Sequence, residues 1–186
     1  MSDLAAALAA IDVANSADPD LTEGQPACLL YGQRMSEELA RLFPDARDAL
    51  RIAARGQHIE RWVLKRAQYP EGREGYLTWR RDLARHHAEQ VSAIMGATGY
   101  GEAEIVSARR MLLKQGIKRD DDVQALEDVI CFVFLKWYFK PFAGTQDAGK
   151  LEQIVQKTAR KMSAPARARV LEEFDLPAPF DAAFRD

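Results

Sequence analysis

Apolar residues along this 186-residue chain return every three or four positions, the spacing of a helix that buries one face. Over 46–64, Leu50, Ala54, His58 and Trp62 recur every four residues, a stripe that is apolar except at the histidine. Over 77–98, Leu83, His87, Val91 and Met95 repeat the arrangement. The stretch 123–139 holds the most hydrophobic run, VICFVFLKWYF, with Asp128 at its head. The same spacing predicts helices over 4–13, 27–43, 102–115, 150–162 and 166–174. Turn formers separate them: NSADPDLTEGQP at 15–26, Pro44-Asp45, QYPEGREG at 68–75, Gly99-Tyr100-Gly101, Gly116, and 141–149. No stretch alternates at period two, so the fold class is all-α.

Composition narrows the picture without changing it. The apolar and charged fractions, 47% and 29%, are those of a globular protein with one proper core. A formal net charge of −2 gives no general reason to expect nucleic acid or an anionic membrane as partner. The run 129–139 is too short and too flanked by charge to span a bilayer. The N-terminus carries Asp3 and no basic segment, which speaks against a targeting peptide. Cys28 and Cys131 lie far apart without CxxC spacing, as expected of a reduced, cytoplasmic setting.

The chemistry concentrates at polar groups on faces expected to point inward. A buried polar group left unpaired costs about 1–3 kcal/mol, so His58, His87 and Asp128 call for partners or a use. Two imidazoles and a carboxylate meeting inside a helical bundle suit a divalent metal ion of unknown identity. A structural His–Asp pairing would satisfy the same residues. Glu127 and Asp128 point about 100° apart on a helix and cannot share a role. Asp128 is taken as the inward ligand, with Glu127 and Glu60 available as base or supporting carboxylate. Residues 51–85 carry nine positive side chains against four acids, interleaved with Trp62, Tyr69, Tyr76 and Trp79. Most of that charge reads as solvated helix surface. Arg34, Arg61, Arg73, Tyr76 and Arg80 are the candidates for holding an anionic small molecule, because the planar guanidinium fits a phosphate or carboxylate.

Two resemblances emerge from these blocks. LLYGQRM (29–35), AARGQHIERW (53–62), YPEGREGYLTWR (69–80), HHAEQ (86–90) and QALEDVICFVFL (124–135) resemble an uncharacterised bacterial and fungal family, domain of unknown function 4202. Some members of that family carry a glutamyl-tRNA synthetase label. Lys161-Met162-Ser163 does resemble the start of a KMSKS loop, but the chain has no βαβ pattern and no HIGH-type motif, which argues against that activity.

The order of elements is also similar to that of HD-domain phosphohydrolases, with Gln57-His58 standing where those proteins carry His-Asp. Asp128 matches their late aspartate, and His87 a further histidine. This resemblance implies one helical bundle of seven or eight helices, with a core over 1–149 and a C-terminal helical extension over 150–186. It also implies a metal-dependent hydrolase acting on a phosphorylated small molecule or nucleotide. A non-catalytic module for an anionic ligand or a protein partner is the alternative, and a non-haem oxygenase on the same scaffold a variant.

Overall fold

The computed structural model describes residues 1–178 and 180–185, and among these the regular structure is helical apart from one hairpin of two-residue strands. Nine α-helices are present among the described residues, one or two more than expected. None is long and apolar enough to cross a membrane. The chain forms two compact units, Met1–Gln115 and Gly116–Asp186. The expected boundary near residue 150 falls inside the second of them.

The first unit holds α1 (Leu4–Asn15), α2 (Ala27–Leu42), α3 (Asp48–Arg55), α4 (Gly72–Ala97) and α5 (Glu102–Leu112). The short α3 packs against α1, α2 and α5, and Ile52, Ala53 and Ala54 on it are fully buried. Small residues let its neighbours approach closely. A Cβ on Gly32 of α2 would lie 2.8 Å from the Arg55 carbonyl oxygen. Arg55 reaches α1 through two hydrogen bonds to the Asp12 carboxylate, 2.7 and 2.6 Å. The stretch 15–26 is a loop as expected, but Leu21–Thr22 and Gln25–Pro26 pair across it as a hairpin. Its two turn residues, Glu23 and Gly24, both have positive φ, the geometry a two-residue hairpin favours. Asp18 then caps α2 from outside by accepting the Cys28 N–H at 2.8 Å.

The predicted helix over 46–64 is the main correction. It ends at Arg55, and His58 lies in a series of turns that lead to a 3₁₀ segment, Arg61–Val63. The cause is Gly56, where a Cβ would stand 2.4 Å from the Val91 side chain. The chain runs against α4 there with room only for glycine, a residue that sustains a helix poorly. The opposite error occurs at 68–75, where α4 begins already at Gly72. Gly75 permits this, since a Cβ would lie 1.9 Å from the Pro70 carbonyl oxygen. The expected stripe on α4 holds: Leu83, His87, Val91 and Met95 are all buried.

The second unit holds α6 (Asp121–Val133), α7 (Phe139–Ala143), α8 (Ala148–Lys161) and α9 (Ala164–Glu173). Asp120 caps α6, accepting the N–H groups of Asp122 and Val123. The expected single helix over 123–139 is interrupted by a π-helical turn, Phe134–Tyr138, after which the chain continues as α7 through Pro141. The wide turn accompanies edge-to-face packing of Phe134 on Phe139 and Phe142, with ring centroids 5.9 Å apart in each pair. Phe132 is fully buried beside Phe174, and Leu135 is buried as predicted.

Candidate functional site

The turns over 56–60 are pinned on every side. Ile59 is buried, and Glu60 sits in the left-handed region with φ 49°, its N–H donating to the buried Asn15 side chain at 3.0 Å. Tyr31 of α2 stacks on the His58 ring, with centroids 3.8 Å apart and planes 13° from parallel. His58 is thereby presented towards His87 of α4, at a ring separation of 6.0 Å.

Both imidazoles open into a cavity of about 650 Å³ within the first unit. Six cationic residues line it, Arg61, Arg80, Arg81, Arg85, Arg109 and Lys114, against a single acid, Glu89. Leu83, Ala84, Leu112 and Leu113 supply apolar wall. Two buried polar atoms here have no hydrogen-bond partner, Oε1 of Gln57 and Nε2 of His87. Arg61 lies with its guanidinium 4.8 Å above the Trp79 ring, whose Nε1–H donates to the Leu64 carbonyl at 2.9 Å. Among the described residues, neither Arg61, Arg80 nor Arg109 forms an ion pair.

The electrostatics agree with the inventory. Burial, then the Arg80 charge, lowers the Arg61 pKa. Burial holds the His87 pKa down to about 3, with His86, Arg61 and Arg80 adding to the shift. His58 is lowered well below the usual histidine range by burial and by Arg61, His87, Arg80 and Lys114. Both imidazoles are therefore neutral at neutral pH, in a positive field. Lys114 adds backbone strain at the rim, with φ 57°. It occupies the position after α5 that glycine usually fills, with the Gln115 N–H reaching the Arg110 carbonyl and the Lys114 N–H the Met111 carbonyl. A lysine stands where a glycine would be relaxed.

The other sequence candidates lie elsewhere. Arg34 is buried and pairs with Glu23 at 2.7 Å. Arg73 and Tyr76 are exposed at the start of α4 and do not line the cavity, although the Tyr76 ring touches Trp79. Glu60 stands 3.6 Å from Nε2 of His86. In the second unit, buried Glu127 lies 3.6 Å from Lys161. Asp128 accepts the Ser163 N–H at 2.8 Å, the Ser163 hydroxyl at 2.6 Å and the Gln124 amide at 2.9 Å. Its carboxylate thus anchors the N-cap serine of α9.

Asp128 is engaged by three donors, and the charges of Arg61 and Arg80 act on both imidazoles. Among the described residues no three His, Cys, Asp or Glu side chains are grouped to hold a metal. The sequence reading missed Arg81, Arg85, Arg109 and Lys114 as wall residues. Arg81 and Arg85 belong to the basic stretch over 51–85, whereas Arg109 and Lys114 join the wall through the packing of α5 on α4.

A family described as "Domain of unknown function (DUF4202)" matches residues 5–183. The chain belongs to this family. No curated protein and no solved structure matches it. The DUF4202 match spans the cationic cavity as well as the second unit, so both are parts of the family domain.

Proposed function

We propose that this DUF4202 protein binds a small molecule bearing a phosphate or comparable anionic group in the cavity between α4, α5 and the turns at 56–60. The observation that carries the reading is the pair Arg61 and Arg80. The half-buried Arg61, its pKa lowered by burial and by the Arg80 charge, has no carboxylate to neutralise it, and Arg80 has none either among the described residues. An anion supplies the missing charge and accepts their N–H groups in the planar geometry that arginine favours. The unpartnered Nε2 of His87 and Oε1 of Gln57 stand ready for polar atoms of the same ligand. The strained Lys114 is consistent with use, because strained backbone is commonly retained where function needs the side chain.

Calorimetric titration of inorganic phosphate into wild type, Arg61→Ala, Arg80→Ala and Arg80→Lys tests this. Charge-assisted hydrogen bonds of about 1.5–3 kcal/mol predict a loss of about ten- to a hundredfold for each alanine variant, with partial recovery in the lysine variant. Equal affinity in all four proteins, or no binding by wild type, refutes it.

A second reading, a hydrolase acting on the bound phosphorylated compound, draws on the neutral histidine pair and on the HD-type order of elements. A bound phosphate dianion opposes the burial and the arginine charges that hold the His87 pKa down, and an imidazole so restored can take the proton of an attacking water. Turnover of phosphate monoesters that is lost in His87→Gln, while phosphate binding persists, supports this reading. Absence of turnover across such substrates leaves a binding module.

A further inference from the structure

The cations around the cavity fall into two sets. Arg61, Arg80 and Lys114 are those whose charge is felt at the His58 imidazole. Arg81, Arg85 and Arg109 line the same cavity. On α4, Arg80 and His87 lie on one side, and Arg81 and Arg85, one turn apart, are rotated about 100–140° away from Arg80. Ala84 falls between them, a small residue on the wall. Arg81 and Arg85 share one acid, Asp82, at 4.0 and 3.7 Å, too far for a hydrogen bond. Arg109, on the neighbouring helix, has no ion pair among the described residues.

A single phosphate occupies a small fraction of a cavity of about 650 Å³ and cannot offset the charge of six cations around it. We infer that the ligand carries two anionic groups, one held by Arg61 and Arg80 beside the histidines, the other by Arg81, Arg85 and Arg109. The ligand class is a diphosphate ester or a small skeleton phosphorylated at two positions. This inference rests on the anion site proposed above and specifies its substrate class. The apolar wall, Leu83, Leu112 and Leu113, then covers the uncharged part of the molecule. Glu89, the only acid on the wall, offers an acceptor for a hydroxyl of that skeleton.

The test is calorimetric titration of orthophosphate, pyrophosphate and a hexose bisphosphate into wild type and the Arg85→Ala/Arg109→Ala double variant, at one ionic strength. In wild type, pyrophosphate or the bisphosphate should bind at least about tenfold tighter than orthophosphate, and whichever does so tells whether the two groups are joined or apart. In the double variant that preference should collapse towards unity. Circular dichroism establishes that the variant is folded, and Arg85→Glu alone should lower the preference further than Arg85→Ala. Orthophosphate binding without preference for either double anion overturns the inference and spares the anion site. A preference that survives in the double variant also overturns it. No binding of any of the three overturns the site itself.

Discussion

Replacing Asp128 separates a structural carboxylate from a metal-binding one. Its oxygens accept from the Ser163 N–H, the Ser163 hydroxyl and the Gln124 amide, and Ser163 in turn accepts the Ala166 N–H as N-cap of α9. In Asp128→Ala the Gln124 amide keeps its second bond, to the Lys161 carbonyl, so the loss falls on Ser163. Two bonds to a charged acceptor disappear, each worth about 1.5–3 kcal/mol, and the helix cap loosens with them. A destabilisation of about 3–5 kcal/mol is expected. Asp128→Asn retains one carbonyl acceptor for the Ser163 N–H and lets the hydroxyl reverse its proton, so its cost should be about 1–2 kcal/mol. Urea denaturation followed by circular dichroism reads both, with a midpoint shift of roughly 1–3 M for the alanine variant at the slopes usual for small domains. Stability should be indifferent to added zinc, manganese or chelator. An alanine variant as stable as wild type but deficient in divalent-ion binding refutes the structural assignment.

Leu135→Ala should cost about 2–5 kcal/mol, since the side chain is buried in the π-helical turn, and an unchanged midpoint would show that it is peripheral. Gly75→Ala should lower the melting temperature, because its Cβ would overlap the Pro70 carbonyl and force the start of α4 to move; a neutral result would mean that the turn yields freely. Lys114→Gly should stabilise the fold by about 1 kcal/mol through relief of the left-handed backbone while weakening phosphate binding, and tighter binding would contradict its place in the site. Below about pH 6.5 the unfolded chain protonates His87 while the folded chain refuses the proton until about pH 3. Stability should therefore fall as pH falls through that window, by up to about 1.4 kcal/mol per unit, and His87→Gln should flatten the slope. An identical pH profile in the variant would show that the folded protein accepts the proton.

Helical class, the buried stripe of α4 and the hydrophobic 129–135 segment were legible in the sequence because periodicity and burial have the same cause: a helix that must hide one face shows it every three or four residues. The histidine stripe over 46–64 obeyed the same rule and still misled. What stops that helix at Arg55 is the approach of Gly56 to Val91, a residue 35 positions further on, and no local pattern reports such a contact. Arg34 and Arg61 looked alike as arginines in a basic chain. Only packing gives Arg34 an acid and denies one to Arg61. Asp128 drew attention as a buried acid, and its neighbours in sequence do not reveal that Ser163, 35 residues away, takes up its charge. The amino-acid sequence by itself determined the class, the core-facing residues and a local excess of arginine. The tertiary structure decided which of those charges remain uncompensated, because the energy of a buried charge depends on what lies within a few ångströms of it, and chain order does not set that distance.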